Sequence, residues 1–410
     1  MQLAKPASRV ASLPARAGSA PCRPATAGCC LTHRSGFPLP AAGRTAPRSR
    51  RARNTAYVAS ALHDEEGQAS GGSGLVSLGR WLAEETRAMP EVEGGDLGVL
   101  LGEVALGTKR LARALSRAGI EGSFGSAGGH NATGDAQKTL DVVANDIFKE
   151  ALTGSGQVRA MASEEEEGVV LTDAPTARYA VVFDPLDGSR NIDAAIPTGT
   201  IFGVYLCGPS VADSLDEADW GIEECLQPGD QQVAAGYALY SSATMLVLTL
   251  GSGTHGFTLD DATGEYLLTH PSIAIPRRGQ IYSVNDARYF DWPPGLQAYI
   301  DAVRQGRGRS GKQYSARYIC SLVADFHRTL LYGGVAMNPR SHLRLVYEAN
   351  PLSMLAEQAG GKGSDGRRRI LGLQPEALHQ RLPLFLGSPD DIDELQSYGD
   401  VQQGAKTYEV

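Results

Sequence analysis

The sequence predicts an α/β or α+β protein with layered sheets, on three observations. Short β-branched and aromatic runs such as YAVVFD (179–184) and TMLVLTL (244–250) are apolar throughout and too short for helices. Between such runs lie stretches with apolar residues at helical spacing that end at glycine. Finally, 410 residues with 42% apolar and 20% charged side chains suit a globular chain large enough for two domains of ordinary size. No apolar run approaches the roughly 20 residues of a membrane-spanning helix.

The first 63 residues contain no Asp or Glu but ten Lys and Arg among many Ala, Ser and Pro, which is the composition of an organelle transit peptide. We place that segment at 1–62. Without those ten charges the formal net charge falls from −8 to −18 over residues 64–410. A chain that acidic disfavours nonspecific nucleic-acid binding and suits recruitment of divalent cations. Cys22, Cys29 and Cys30 lie in the leader. The remaining Cys207, Cys225 and Cys320 form neither a zinc-like spacing nor a disulfide framework. The triplet Asn131-Ala132-Thr133 matches a glycosylation acceptor by pattern, against the direction in which the leader points.

Residues 76–118 read as two helices broken by MPEVEGGD, and 121–135 (EGSFGSAGGHNATGD) as a flexible loop. A helix is expected from Asp135, with Leu140, Val143, Ile147 and Ala151 on one stripe and a stop at Gly154. YAVVFD, GTIFGVYL, QVAAGYALY and TMLVLTL are expected strands, and HGFTLDDATGEYLLTH a hairpin about DATGE. GQIYSVN is sheet-like and precedes a helix at about 295–304. RYICSLVADFHRTLLYGG carries Ile319, Leu322, Val323, Phe326 and Leu330 at helical spacing. LRLVYE then reads as a strand and NPLSMLAEQAGG as a capped helix.

The stretch VVFDPLDGSRNID (181–193) carries the chemistry. Phosphoryl transfer needs cations on the non-bridging oxygens, an oriented nucleophile and a stabilised leaving oxygen, and magnesium takes oxygen ligands from a few carboxylates. Asp184 and Asp187 stand three positions apart behind an apolar strand. Gly188 allows close backbone approach, while Ser189 and the following amides could receive a phosphate at a helix start. An Asp-Pro turn with capping residues fits these six positions equally well. Further acids would have to converge. Glu164 and Glu165 open SEEEEG, Glu348 closes LRLVYE, and Asp135 and Asp141 flank the start of the expected helix. Each also reads as ordinary surface charge or a helix cap.

Taken in order, TGDAQKTLDV, SEEEE, FDPLDGSRNID, PTGTIFGVY, AAGYALYSSATMLVLTL, SARYICSLVADFHRTLLYGG and LRLVYEANP resemble class 1 fructose-1,6-bisphosphatase, a member of the magnesium-dependent, lithium-sensitive sugar phosphatases. The resemblance runs from about residue 76 to 397. It implies a layered αβαβα sandwich and a homotetramer built from dimers. It further implies two to three Mg2+ ions per subunit, held by Asp135, Glu164, Asp184, Asp187, Glu348 and the carbonyl of Leu186. Glu165, Asp141 and Asp135 are the implied catalytic group, activating a water that attacks the 1-phosphate in line. The implied substrate contacts are Asp187, Gly188, Ser189, Arg190, Asn285, Tyr289, Tyr318, Tyr332 and Arg344, with Arg317 crossing from a neighbouring subunit. The loop 121–134 corresponds to one that closes over the site. Residues 63–270 would form a domain with most metal ligands, and 271–410 one with the sugar-phosphate clamp. The expected partner is a sugar bisphosphate, with no nucleic acid and no membrane, and the expected location is the chloroplast stroma.

Departures from the family pattern refine the reading. Ser341-His342-Leu343-Arg344 replaces Gly-Lys-Leu-Arg, and Asn285-Asp286-Ala287-Arg288 replaces an Asn-Glu-Gly segment, so Arg288 is a candidate for the missing positive charge. EGGDLG lacks the threonines of an AMP site, which predicts weak AMP inhibition. Segment 207–226 is short and holds only Cys207 and Cys225, resembling the plastid type without a thioredoxin switch. Sedoheptulose-1,7-bisphosphate as substrate, or a catalytically idle sugar-phosphate sensor, are the alternatives.

Overall fold

The computed structural model describes residues 74–404 apart from 91–93, 124, 131–135, 175 and 209–216. Helix α1 (Leu78–Ala88) starts where the Ser77 side chain accepts a hydrogen bond from the Arg80 amide. α2 (Leu97–Glu121) ends at Gly122 in the left-handed region (φ 71°). Where the sequence suggests a flexible loop, β1 (Ser126–His130) and β2 (Ala136–Lys138) pair antiparallel. The next helix, α3, runs over Thr139–Gly154 and so starts four residues later than expected. Its buried side is Leu140, Asp141, Ala144, Asn145, Phe148, Ala151 and Leu152, while Val143 is exposed. The expected stripe was rotated because buried polar side chains, Asp141 and Asn145, hold inward positions that a hydrophobic pattern cannot assign.

Strands β3 (Val158–Ser163), β4 (Val170–Leu171), β5 (Tyr179–Asp187), β6 (Thr198–Leu206), β7 (Gln232–Tyr240), β8 (Thr244–Thr249), β9 (Thr254–Asp260) and β10 (Glu265–Ile273) form one eight-stranded sheet, ordered β10-β9-β8-β7-β6-β5-β3-β4. Within it β3 and β5 are parallel and β5 to β10 run as an antiparallel series. Helix α4 (Glu217–Cys225) lies between β6 and β7 in the chain. A five-stranded sheet has the order β12-β11-β13-β15-β14, from β11 (Ile281–Ser283), β12 (Ser315–Ala316), β13 (Val335–Arg344), β14 (Lys362–Ser364) and β15 (Arg381–Gly387). The remaining helices are α5 (Pro294–Arg304), α6 (Leu322–Tyr332), α7 (Asn350–Gln358) and α8 (Pro389–Gln396).

Three cores stack these elements into five layers. Trp81, Leu100, Val104, Leu140 and Phe148 from α1 to α3 pack on Phe183, Phe202 and Phe257 of the large sheet. The opposite face of that sheet, with Ile201, Tyr237 and Val247, meets Val323, Phe326 and Leu330 of α6 and Leu352 and Leu355 of α7, which also cover Leu343, Leu384 and Leu386 of the small sheet. Beyond it, Tyr282, Val335 and Phe385 pack on Leu296 and Ile300 of α5 and on Ile392 and Leu395 of α8. The result is the αβαβα sandwich. No described helix is long and apolar enough to cross a membrane.

Two local features differ from the sequence reading and place the site. Ile319 precedes α6, whose first turn is capped by the Ser321 hydroxyl accepting from the Ala324 amide. LRLVYE is not one strand: β13 stops at Arg344, and Leu345–Ala349 is a π-helical turn that runs straight into α7. A run of apolar residues carries no mark of that change, because every residue from Leu345 to Ala349 is buried whichever backbone it adopts.

A half-buried histidine ties α6 to the large sheet. His327 on α6 pairs through Nδ1 with the Tyr237 hydroxyl at 2.7 Å, and burial, reinforced by nearby His270, pushes its pKa down to about 4. Above its unfolded value of about 6.5 the ring is neutral in both states and contributes nothing. Below that, the unfolded chain takes a proton that the fold refuses. Stability should therefore fall by about 3 kcal/mol between pH 6.5 and 4 from this group. The check is a pair of thermal melts across that range, in which His327→Gln should lose less stability than the parent chain.

Candidate active site

Strand pleat decides which acids meet. Val181 and Phe183 of β5 belong to the core under α1 to α3, whereas Ala180 and Val182 face the middle of the sandwich with Val346 and Tyr347. Asp184 follows the second set by period 2. It is 3% exposed. Asp187 is an odd number of steps further on and would point away in a regular strand. Between the two, however, Asp184 pairs with Ile201 and Asp187 with Gly199, so β5 carries one extra residue, a bulge. The bulge is held by the Thr200 hydroxyl donating to the Pro185 carbonyl at 2.8 Å and by the Leu186 amide donating to Asp184 Oδ1 at 2.9 Å. Asp-Pro-Leu-Asp is thus part of the strand rather than a turn after it.

Asp184, Glu164 and Glu348 converge, each presenting one carboxylate oxygen within 4.8 Å of the others. Glu164 follows β3, the parallel neighbour of β5, and its amide donates to the Phe183 carbonyl. Glu348 arrives from the π-helical turn and accepts from the Arg344 amide. Arg344 lies inside the cluster, its Nη2 2.6 Å from Glu164 and its Nη1 3.9 Å from Glu348. Burial, and then the mutual repulsion of the acids, holds the Glu164 and Asp184 carboxyls well above the usual range. One guanidinium among three buried carboxylates leaves negative charge in excess. Hard oxygen donors so arranged fit a divalent cation of the magnesium type.

Asp187 is held differently. Its carboxylate accepts from the Ser321 hydroxyl at 2.8 Å, the Val323 amide at 2.9 Å and the Leu322 amide at 3.2 Å, and so sits on the first turn of α6. Gly188 follows at φ 75°, and a Cβ there would lie 3.1 Å from that of Ser321, so the close junction requires glycine. Ser321 is a residue that the motif reading missed. Its sequence signal, a serine before an apolar helix, indicates a cap but not a service to an aspartate 134 positions away.

The acidic turn after β3 is pinned from α3. Glu166 accepts from Asn145 at 2.8 Å and pairs with Lys149, while Asn145 also receives the Ser163 hydroxyl at 2.7 Å. Glu165 and Asp141 are neighbours. Burial pushes the Asp141 carboxyl up to about 6, the Lys138 amide opposes this, and the Glu165 charge adds to it. Asp135 lies outside the described residues.

The expected sugar-phosphate clamp is distributed over the small sheet. Asn285 caps a 3-10 helix through the Ala287 amide, and Tyr289 donates to Asp301 at 2.7 Å. Arg190, Arg317, Tyr318 and Tyr332 are exposed, with Tyr332 67% accessible. Ser189 opens a six-residue 3-10 helix. Arg288 stands 4.0 Å from Asp291. Of the expected clamp, Arg344 is the residue that stands beside the carboxylates, within 2.6 Å of Glu164.

A layered α/β sandwich with a buried carboxylate cluster where its sheets meet has the donor set that could hold a divalent cation. Family models of the fructose-1,6-bisphosphatase N-terminal and C-terminal domains match residues 76–271 and 275–400. The chain is 46% identical over 339 residues to the chloroplastic fructose-1,6-bisphosphatase of Brassica napus, covering 79% of this chain and 82% of that one. It is 44% identical over 343 residues to the class 1 fructose-1,6-bisphosphatase of Chloroherpeton thalassium, covering 82% and 95%. A crystal structure of Leishmania major fructose-1,6-bisphosphatase in holo form superposes with a TM-score of 0.74 at 40% identity, covering 80% of this chain and 99% of that one. The chain belongs to the class 1 fructose-1,6-bisphosphatase family.

Since the cluster buries excess negative charge, Asp184→Asn should raise the melting temperature in EDTA by a few degrees, on the order of 1 kcal/mol. The same change should abolish most of the rise that millimolar Mg2+ gives the parent protein. Calorimetric melts with and without Mg2+ check both.

Proposed function

We propose that this chain is a chloroplast-stroma enzyme that hydrolyses the 1-phosphate of fructose-1,6-bisphosphate, giving fructose 6-phosphate and phosphate. The observation that carries this reading is the convergence of Glu164, Asp184 and Glu348 on one buried point in a chain of this family. Asp135, Glu164, Asp184, Asp187, Glu348 and the Leu186 carbonyl would hold two to three Mg2+ ions. When bound, the ions neutralise phosphate oxygens and lower the pKa of the attacking water.

The chain's own groups do the rest. Glu165 and Asp141 receive the water's proton, and an Asp141 carboxyl near 6 is an ionised base poised close to working pH. Gly188, Ser189 and Arg190 meet the reacting phosphate. Asn285, Tyr289, Tyr318, Tyr332 and Arg344, with Arg317 from a neighbouring subunit of a homotetramer, hold the other one, because guanidinium and hydroxyl donors suit a dianion. Residues 63–270 then carry most of the cation site and 271–410 the clamp.

Thiol control is absent from this reading. Cys207, Cys225 and Cys320 are free, and burial pushes the Cys207 thiol up to about 12 and Cys225 higher still, which suppresses the reactive thiolate.

The test is phosphate release from fructose-1,6-bisphosphate by residues 61–410. Turnover should require Mg2+, change less than about twofold with reductant, and fall at least about a thousandfold in Asp184→Asn. Higher kcat/KM on sedoheptulose-1,7-bisphosphate would reassign the substrate. Tight sugar-phosphate binding with no turnover on either sugar would make the chain a sensor.

A further inference from the structure

His379 belongs to none of the motifs above, yet it stands between two of the three segments that deliver the carboxylates. Its Nδ1 lies 2.8 Å from the Tyr347 hydroxyl, with the rings edge-to-face at 5.9 Å. Tyr347 is fully buried on the π-helical turn next to Glu348, close enough to Glu164, Asp184 and Glu348 for their charges to act on its phenol. On its other side the imidazole faces the backbone of Glu166 and Glu167, the acidic turn that carries Glu164 and Glu165. Its Nε2 is buried, and that backbone is the polar group it faces.

With the Tyr347 phenol as the donor, one tautomer follows. A buried phenol donates its proton where an acceptor is offered, so Nδ1 accepts from Tyr347 and the ring proton sits on Nε2, directed at the carbonyls of the acidic turn. Burial and the nearby Arg344 and Arg381 keep the ring neutral. Glu166 already ties the turn to α3 through Asn145 and Lys149. The face toward the small sheet has the imidazole.

We propose that His379 is a positioning residue for this active site. Through Tyr347 and through the backbone of Glu166 and Glu167, it sets the acidic turn against the π-helical turn, so that Glu164 and Glu348 share one cation and Glu165 stays aimed at the attacking water. The inference rests on the cation-dependent reading of the site. His379 touches no substrate atom in this role. Its loss should therefore act on Mg2+ affinity and kcat and spare KM, and partners at one remove from a cation are commonly worth 10–100-fold.

The experiment compares full-length protein with His379→Ala, His379→Gln, Tyr347→Phe and the double variant Tyr347→Phe/His379→Ala, each checked for native circular dichroism and assembly. Magnesium binding is followed by titration calorimetry alongside kcat and KM. His379→Ala is expected to weaken Mg2+ binding and lower kcat about tenfold each, with KM within about twofold. His379→Gln, whose amide reaches the Nε2 position, should recover part of both. The double variant should be no worse than about threefold beyond His379→Ala, as for groups acting as one unit. Parent-like Mg2+ affinity and kcat in a folded His379→Ala, or losses that multiply in the double variant, overturn the positioning role while leaving the phosphatase reading intact. A parent protein that neither binds Mg2+ nor releases phosphate overturns both.

Discussion

Three carboxylates buried against one another are a cost that the rest of this molecule is arranged to bear. Glu164, Asp184 and Glu348 come from three separate segments, and none could be moved to the surface without dissolving the site. Arg344 offsets part of the charge from inside the cluster. The three cores supply the remainder, since apolar burial on both faces of the large sheet can hold repelling groups together that would otherwise part. Strain of this kind, concentrated where charge must later be met, is a common property of sites built for cations and phosphates.

Asp187 shows the same logic in another form. Its three donors all come from the beginning of α6, the helix that packs on both sheets. The aspartate is at once part of the active-site strand and the anchor of the middle layer. Asp325, four residues past Ser321, holds the amides of Ile319 and Cys320 and the hydroxyl of Ser283 on the small sheet. A continuous chain of charge-assisted bonds therefore runs from β5 through the first turn of α6 to β11.

Much of this was legible in the sequence. The strands about YAVVFD and TMLVLTL, the αβαβα class and the acids of FDPLDG and SEEEE follow from pattern and resemblance. Less legible were features in which two distant segments act on each other. An apolar pattern places Val143 inward because it counts apolar residues, whereas Asn145 takes the buried side for partners on β3 and the acidic turn, and Asp141 for the Lys138 amide that it caps. Glu348 looks like a strand end in sequence, since a buried π-helical turn and a buried strand share one composition. Arg344 carries no sequence mark of its place beside the carboxylates, which depends on where β13 stops.

The bulge in β5 has a consequence for how this gene can vary. Because Asp184 and Asp187 face one site only by virtue of a single extra residue, the spacing between them is as constrained as their identities. Removing or adding one codon there would keep both aspartates in the protein and turn one of them into the opposite layer, among the phenylalanines beneath α1 to α3. Substitutions at Pro185 or Leu186 could be graded in effect, but a change of length has no mild version.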